Sequence, residues 1–385
     1  MQAYLDNSAT TRCSEGVRDI VIRTMMEDYG NPSSKHDKGI GAERYLRDAR
    51  GIIARTLKAD EKEIYFTSGG TESNNWALIG AAMANRRSGM HLVTTAIEHA
   101  AVVQPMVYLK EQGFEVTYVP VDRYGRLDLE KLREAIREDT ILVSTMYVNN
   151  EIGTLEPVEE IGKIIRERNA KALWHVDAIQ AYGKYRIYPK RLGIDMLSVS
   201  GHKLHGPKGV GFLYVNSRVK LRPLILGGGQ QRGMRSGTDN VPGIAGLGWA
   251  AREAYEDFDR KLAHLYELKR FFMEEIEKLP DTVINSLPGE EGAPHIVSVS
   301  FRGVRSEVLL HALEERGIQV SSGSACSSNK KLPVSSVLKE IGMEKELLDS
   351  TIRFSFCENT TKEELVYCLE QLKELLPMLL RYRAH

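Results

Sequence analysis

The sequence of 385 residues predicts an α/β fold with a mainly parallel sheet, accompanied by a smaller α+β unit, and two patterns support this expectation. Between residues 63 and 200, short apolar runs that are typical of buried strands alternate with segments of helical periodicity. Such alternation is typical of a parallel sheet covered by helices on both faces. Beyond Leu279 the strands and helices follow in a different order, which indicates the second unit.

The composition indicates a globular protein and argues against several kinds of partner. With 42% hydrophobic residues the chain can bury a large core. Its 52 basic residues balance 52 acidic ones, so the net charge gives no support for binding to nucleic acid or to a membrane surface. Residues 1–10 lack the basic and apolar regions of a secretory signal, and no stretch approaches the ~20 apolar residues of a membrane span. We therefore expect a cytoplasmic protein.

The cysteines indicate neither a metal site nor a disulfide framework. There are four in the chain, with no C-x-x-C pair and no zinc-ligand spacing: Cys13, Cys326, Cys357 and Cys368. Cys368 lies among leucines of a predicted helix, which favours burial as a small hydrophobic residue.

The first part of the chain predicts two amphipathic helices and then the strands of the sheet. Ser14 is a typical N-cap for the first helix, which extends to about Tyr29. The second helix carries an apolar stripe at Leu46, Ala49, Ile53 and Leu57. Strands are predicted at 63–67, 91–97, 115–121, 141–148, 172–178, 196–200 and 209–215, with helices from Thr71 and His99.

In the second unit the periodicity predicts one long helix over 242–279, a strand over 296–301, a helix over 308–315, a strand over 351–356 and a final helix from Thr361. We therefore divide the chain into a large domain over 15–250 and a small domain formed by 1–14 together with 251–385. The small domain carries the segment around Cys326.

Two polar motifs follow neighbouring predicted strands, where ligands of parallel sheets collect. In Phe66-Thr-Ser-Gly-Gly-Thr-Glu-Ser-Asn-Asn75, Gly70 and Thr71 join a strand to a helix, and backbone N–H groups at such a helix start can hold a phosphate. The alternative is an ordinary tight turn. His99 follows the next strand, where an imidazole can lie on a planar cofactor, move a proton or simply cap the helix.

Asp177 and Lys203 are the strongest indication of chemistry. A carboxylate that closes an apolar strand must be solvated, paired or bound to a cation. Lys203, in Ser200-Gly-His-Lys203, is placed to form a Schiff base with a carbonyl cofactor while Ser200 and His202 hold a phosphate; the alternative is a solvated lysine in a glycine-rich turn. If Lys203 carries pyridoxal phosphate, Asp177 can pair with the protonated pyridine nitrogen and Gln180 with the ring oxygen.

Two further segments carry small and polar residues. The stretch Leu226-Gly-Gly-Gly-Gln-Gln-Arg-Gly-Met-Arg-Ser-Gly-Thr238 is basic and glycine-rich, and its composition also fits a linker. Cys326 is flanked by Ser324, Ser327 and Ser328 on a glycine-containing segment. Because a structural cysteine usually has apolar neighbours, this pattern favours a reactive nucleophile.

These motifs, together with Tyr4-Leu-Asp-Asn-Ser-Ala-Thr-Thr11, Asn31-Pro-Ser-Ser-Lys-His36, Val148-Asn-Asn-Glu-Ile-Gly153, His175-Val-Asp-Ala-Ile-Gln180, Arg235-Ser-Gly-Thr238 and Ser322-Gly-Ser-Ala-Cys326, resemble those of the NifS/IscS-type cysteine desulfurases. These are pyridoxal-phosphate enzymes of aminotransferase class V and fold type I. The resemblance implies a large domain with a mainly parallel, seven-stranded-type sheet. It also implies a homodimer that removes sulfur from L-cysteine and leaves L-alanine and an enzyme persulfide.

The resemblance also implies roles for individual residues. Lys203 resembles the Schiff-base lysine, Cys326 the persulfide-forming cysteine, and Asn150 and Arg353 the groups that orient the substrate. The remaining matches are cofactor contacts: Gly70, Thr71, Ser200 and His202 at the phosphate, with Thr238 from the other subunit, and His99, Asp177 and Gln180 at the ring. Asn150 is expected to contact the cofactor as well as the substrate. His99 is also expected to take part in catalysis.

Some questions stay open from the sequence. The sulfur acceptor is a protein of unknown identity, in iron–sulfur cluster or in thio-cofactor and tRNA thiolation pathways. A class V aminotransferase or a selenocysteine lyase remains the alternative. Cys357 stands where many relatives have glycine or serine, so we do not expect it to be catalytic.

Overall fold

The computed structural model describes residues 1–322 and 335–382. Within these residues the strands are β1 (Ala3–Tyr4), β2 (Ile64–Thr67), β3 (His91–Thr95), β4 (Glu115–Val119), β5 (Thr140–Met146), β6 (Leu173–Asp177), β7 (Met196–Ser200), β8 (Gly211–Val215), β9 (Thr282–Ile284), β10 (Ile296–Phe301), β11 (Ile318–Gln319), β12 (Ser321–Ser322) and β13 (Thr351–Ser355). The helices are α1 (Glu15–Met26), α2 (Asp37–Leu57), α3 (Gly70–Asn85), α4 (Ala100–Glu111), α5 (Leu129–Ala135), α6 (Val158–Arg168), α7 (Pro189–Leu192), α8 (Val241–Tyr255), α9 (Phe258–Ile276), α10 (Ser306–Glu315), α11 (Ser336–Glu340) and α12 (Lys362–Tyr382).

The large sheet has seven strands in the order β2-β8-β7-β6-β5-β3-β4. Neighbouring strands from β7 to β4 are parallel, whereas β8 is antiparallel to both β7 and β2. The prediction of an α/β fold with a mainly parallel sheet is therefore confirmed. Alternate residues of β5 enter different cores: Leu142 packs with Trp76, and Val143 with Trp174. Both faces are thus covered, which explains why these strands are apolar throughout.

The carboxyl ends of five strands meet at one edge of this sheet. β3, β5, β6 and β7 are parallel, and β2 points the same way because β8 is antiparallel to both β2 and β7. The segments that follow these ends carry Gly70, His99, Asn150, Asp177 and Lys203. The topology therefore gathers residues that are far apart in the sequence at one place.

A four-stranded antiparallel sheet, β12-β13-β10-β9, and the short parallel pair β1-β11 form the other part of the fold. Their core contains Leu5 and residues of α9, α10 and α12, among them Phe272, Leu313 and Cys368. The buried Cys368 agrees with the expectation from its leucine neighbours. The domain boundaries predicted from the sequence stay a prediction.

The expected single helix over 242–279 was wrong, because the chain forms α8 and α9 with a break between them. Asp257 adopts the left-handed region at φ 50°, and Glu256 before it is extended at ψ 135°. The break lets Tyr255 and Phe258 stack with ring centroids 5.4 Å apart. Neither glycine nor proline occurs at this position, so the helical periodicity of the sequence predicted one uninterrupted helix.

Among the described residues, the helices include none that combines the length and the apolar character needed to cross a bilayer.

A buried carboxylate holds β6, α6 and the end of β8 together. Asp195 is inaccessible to solvent and accepts hydrogen bonds from the Trp174 backbone N–H at 2.9 Å, from Arg166 Nη2 at 2.8 Å and from Arg218 Nε at 2.8 Å. Because both arginines reach solvent, the pairing avoids two fully desolvated cations.

We expect Asp195→Ala to lower the free energy of unfolding by about 2–4 kcal/mol, because it leaves a buried N–H without its acceptor and removes the carboxylate partner of the half-buried Arg166 guanidinium. Chemical denaturation followed by circular dichroism measures this loss. Asp259→Ala is the matched control, since Asp259 pairs bidentately with Arg186 on the surface. An equal change in the two denaturation midpoints would contradict the role assigned to Asp195.

Candidate active site

A cavity of about 400 Å³ lies at the carboxyl edge of the large sheet. It brings together ten of the residues predicted from the sequence: Gly70, Thr71, His99, Asn150, Asp177, Gln180, Ser200, His202, Lys203 and Arg353. We refer to it as the Lys203 cavity. Thr238 is exposed and does not line it, and Cys326 lies outside the described residues. The roles of all these residues stay predictions.

Lys203 ends a 3-10 turn, Gly201–Lys203, that directly follows β7. Its Nζ donates to the carbonyl oxygens of Ala9, at 2.8 Å, and Ser8. The backbone of Lys203 is fixed as well, because Lys184 Nζ donates to its carbonyl oxygen at 3.0 Å. The amine is therefore held at the cavity wall by two backbone carbonyl groups.

The N-terminal segment 5–11 forms one wall, which the sequence did not reveal. Leu5 is anchored in the core of the antiparallel sheet. The Thr11 backbone N–H and side-chain hydroxyl both donate to the His202 carbonyl oxygen at 2.9 Å. Ser8 Oγ is buried and has no hydrogen-bond partner among the described residues. A polar ligand in the cavity would satisfy this hydroxyl.

Asp177 closes β6 and is 6% exposed. Asn74 Nδ2 donates to its Oδ2 at 2.7 Å, and the Ile179 backbone N–H to its Oδ1 at 3.0 Å. Burial raises the pKa of Asp177, and these hydrogen bonds and nearby His99 and Lys203 only partly offset it. A cationic group in front of the carboxylate would therefore stabilise its charged form.

Asn74 was not predicted as a site residue from the sequence, although it lies in the motif of residues 66–75, one helical turn after Gly70. The i, i+4 spacing places both residues on one face of α3, which was a usable signal.

The N-terminus of α3 is built to accept an anion. Its N-cap is Gly69, at φ 147°, which supplies no side-chain cap. A Cβ atom on Gly70 would lie 2.2 Å from the Ile179 side chain, so glycine permits the close packing of this turn. The free N–H groups and the positive end of the helix dipole favour a phosphate, and the Thr71 and Ser200 hydroxyls line the same cavity.

His202 and His99 are both fixed in orientation. His202 Nδ1 lies 3.2 Å from Thr10 Oγ1, and burial, with the charges of Lys203 and Lys208, lowers the pKa of His202 to about 4. His99 Nδ1 accepts from the Ala101 backbone N–H at 3.1 Å, so its proton is on Nε2. His99 therefore caps α4, and it also lines the cavity. Its position is compatible with both interpretations made from the sequence, a helix cap and a residue beside a cofactor.

Gln180 is oriented from two sides. Its Nε2 donates to the Ser8 carbonyl oxygen at 3.0 Å, and its Oε1 lies 3.3 Å from Nε2 of the buried His295. Nothing in the sequence pointed to His295, which stands at the start of a strand in the other sheet.

Arg353 reaches the cavity from β13, so the antiparallel sheet contributes to the site. Its Nη2 donates to Asp6 Oδ1 at 3.0 Å and its Nη1 to the Asn150 carbonyl oxygen at 2.8 Å. Asn150 thus fixes Arg353 through its backbone, and its own side chain faces the cavity. Asp6 was also missed by sequence reasoning.

Thr238 lies on a segment that is tied to α3. Arg235, three residues earlier, binds Glu72 bidentately at 2.7 and 3.0 Å. The segment thus runs beside the start of α3, but Thr238 itself faces solvent within this chain.

Comparisons with known proteins identify a matching family and similar proteins. The family model described as aminotransferase class V matches residues 3–367. A protein named cysteine desulfurase IscS from Methanosarcina thermophila is 44% identical over 98% of this chain and 92% of its own length. A solved NifS-like protein is 41% identical, with a TM-score of 0.93, and covers 98% of this chain and 100% of its own. A structure of SspA in complex with cysteine is 34% identical, with a TM-score of 0.80, and covers 94% of this chain and 100% of its own.

We expect acidification from pH 7 to about 5 to destabilise the folded protein partly through His202. Its folded-state pKa, about 4, lies below the ordinary value of about 6.5, so the unfolded chain binds the proton first and stability is lost as pH falls through this window. In His202→Gln the loss between the two pH values should be smaller by about 1 kcal/mol, allowing for partial exposure. Urea denaturation at both pH values measures it. The same pH dependence in both proteins would show that His202 is not held neutral.

Proposed function

Because the chain belongs to the class V aminotransferases and, within them, to the cysteine desulfurases, we propose that it releases sulfur from L-cysteine at the Lys203 cavity with pyridoxal phosphate. The products are L-alanine and a persulfide on the enzyme. The observation that carries this proposal is the meeting of three features in one cavity: the Lys203 amine, the Asp177 carboxylate and the uncapped N-terminus of α3.

The residues present fit this cofactor. A phosphate suits the start of α3, where N–H groups lack a side-chain cap, with Thr71, Ser200 and His202 beside it. A protonated pyridine nitrogen suits Asp177, because burial disfavours the charged carboxylate and a cation at this position would stabilise it. The unpaired Ser8 hydroxyl gives the cavity a further polar contact.

Pyridoxal phosphate bound here would supply an electron-withdrawing ring that takes up negative charge from the substrate's Cα. Asp177 would hold the protonated ring nitrogen, and Gln180 would bind the ring oxygen. Lys203 would hold the cofactor through its amine, and the same Nζ would accept and return a proton at the substrate's Cα. His99 would contact the ring face and is a candidate proton donor.

Arg353 and Asn150 orient the substrate. A guanidinium binds a carboxylate through paired hydrogen bonds, and Arg353 is held in place by Asp6 and by the Asn150 carbonyl group. A substrate carboxylate beside Arg353 would share this cation with Asp6.

Cys326 carries out the sulfur transfer in this proposal. Its thiolate attacks the sulfur of the bound cysteine, the Cβ–S bond breaks, and the electron pair of that bond remains on Cβ, which becomes the methyl group of alanine after protonation. The sulfur stays on Cys326 as a persulfide, which an acceptor protein then removes. SspA, whose structure contains cysteine, supports the choice of substrate class.

A homodimer would complete the site. Thr238 is exposed in the single chain, and a second copy could present it to the phosphate, as the resemblance implies. The acceptor protein, the pathway that uses the sulfur and a cytoplasmic location belong to the proposal as well.

The experiment that tests the function is incubation of the purified protein with L-cysteine and measurement of alanine, sulfide and the mass of the Cys326 peptide. We expect alanine release in step with one added sulfur atom on Cys326, and neither product from Lys203→Ala. Cys326→Ser should abolish alanine release, while Cys13→Ser, an exposed control thiol, should not. Transfer of the amino group to a keto acid would indicate an aminotransferase, and turnover of selenocysteine alone a selenocysteine lyase.

Asp177→Asn should reduce cysteine turnover by at least about two orders of magnitude, because a neutral amide does not hold the ring nitrogen protonated. Steady-state kinetics, with cofactor absorbance to verify loading, measure the effect. Asp259→Asn serves as the control, since Asp259 lies on the surface far from the cavity lining. Turnover of the loaded Asp177→Asn protein within a few-fold of the parent would refute the role of this carboxylate.

A further inference from the structure

The ion pair between Asp6 and Arg353 lies where the proposed function places the substrate carboxylate. Asp6 Oδ1 accepts from Arg353 Nη2 at 3.0 Å, and both side chains line the Lys203 cavity. The Arg353 side chain is 8% exposed and that of Asp6 is 20% exposed. The guanidinium assigned to the substrate therefore already holds a carboxylate of the protein itself.

Arg353 retains donor capacity for a ligand. A guanidinium has five N–H donors in one plane. In the part of the chain that the structure describes, Nη2 donates to Asp6 and Nη1 to the Asn150 carbonyl oxygen at 2.8 Å, whereas the buried Nε has no hydrogen-bond partner. A buried donor without an acceptor is costly, so this nitrogen favours the binding of a ligand that brings an oxygen acceptor.

The charge of Asp6 opposes such a ligand. An incoming carboxylate meets an ion pair rather than a free cation, and two carboxylates on one guanidinium repel each other. A carboxyl group beside a like charge takes up a proton more readily. Binding of the substrate is therefore either weakened by Asp6 or accompanied by protonation of Asp6.

The surroundings of Asp6 favour protonation once its cation is shared. Burial raises the pKa of Asp6, and the charge and hydrogen bond of Arg353 together with the charge of Lys203 oppose this effect. Tyr4, on the same segment, also faces Asp6, and burial raises the pKa of its phenol. The two cations thus keep Asp6 ionised, and a ligand on Arg353 removes part of their support.

Glu151, in the turn after β5, is a second carboxyl group near Arg353. Burial raises its pKa to about 6, and a hydrogen bond from Ser335 and the charge of Arg353 oppose the shift. Its side chain is hydrogen-bonded to Ser335, whereas Asp6 binds the guanidinium directly. Glu151 therefore has to be separated from Asp6 by experiment.

The histidines around the site belong to other groups or stay neutral. Burial lowers the pKa of His202 and of His295, so neither carries a charge near neutral pH. His99, which also lines the cavity, acts on the charge of Asp177.

We propose that Asp6 determines the affinity of the site for its substrate: it competes with the substrate carboxylate for Arg353, and it takes up a proton when that carboxylate binds. This inference rests on the proposed function for the position of the substrate. Because the complex then holds more protons than the free protein, lowering the pH strengthens binding.

The test is isothermal titration calorimetry of the cofactor-loaded protein with 3-mercaptopropionate, which has the carboxylate and the thiol of cysteine but no amine. At about pH 6, titrations in two buffers of different ionisation enthalpy give the number of protons taken up on binding. We expect uptake of a large part of one proton. Binding should be about fivefold stronger at about pH 6 than at about pH 8.

Asp6→Asn is the matched variant, because it keeps the size of the side chain and an oxygen that can accept from Arg353 Nη2. It should abolish the proton uptake and flatten the pH dependence. At about pH 8 it should bind the probe about tenfold more tightly than the parent, since the competing charge is gone. Glu151→Gln is the control, and it should retain the proton uptake.

Three results would overturn the inference. Parent-like proton uptake in Asp6→Asn, or its loss in Glu151→Gln, would assign the proton to another group. Weaker binding to Asp6→Asn would show that Asp6 only orients Arg353.

Arg353→Gln separates this inference from the function on which it rests. It should bind the probe at least about tenfold more weakly, because charge-assisted hydrogen bonds to the carboxylate are lost. Unchanged binding would refute the position assigned to the substrate carboxylate, and the inference with it. Whether cysteine is turned over at all is decided independently by alanine release.

Discussion

The Ser8 carbonyl oxygen joins the parts of the candidate active site, because it accepts hydrogen bonds from both Lys203 Nζ and Gln180 Nε2. An ammonium group at a cavity wall needs acceptors, and the backbone carbonyl groups of Ser8 and Ala9 provide two of them. Lys203 and Gln180 are therefore positioned by the same segment of the chain.

Segment 5–11, which carries Ser8, can position these side chains because it is hydrogen-bonded to elements of both sheets. The Ser8 N–H donates to Ser355 Oγ at 2.8 Å, and Asn7 Nδ2 to the Ser355 carbonyl oxygen at 3.0 Å, at the end of β13. Thr11 is bound to the turn after β7. Arg353, also on β13, binds Asp6 of the same segment. The site is thus a junction between the two sheets, with cationic and anionic side chains supplied from each side.

The parts that depend on local pattern were predictable from the sequence, and the parts that depend on distant contacts were not. Alternating apolar runs gave the large sheet, and residues that end its strands, such as Asp177 and Lys203, were identified because parallel strands bring their ends together. Asp6 and His295 were missed because their partners lie far away in the chain, although Asp6 stands in the quoted motif of residues 4–11. The break at Asp257 was missed because an aromatic stack, rather than glycine or proline, ends the helix there.

The anchoring of segment 5–11 also has a consequence for how the protein is made. The bond from Asn7 to Ser355 spans 348 positions, and the chain emerges from the ribosome N-terminus first. The strands of the large sheet can pair while synthesis continues, but the wall of the Lys203 cavity cannot close until β13 has been translated. Closing so long a loop is slow. Between the translation of Lys203 and that of Ser355, the nascent polypeptide therefore carries the lysine and the aspartate but no completed pocket, and the closed cavity arises only near the end of translation.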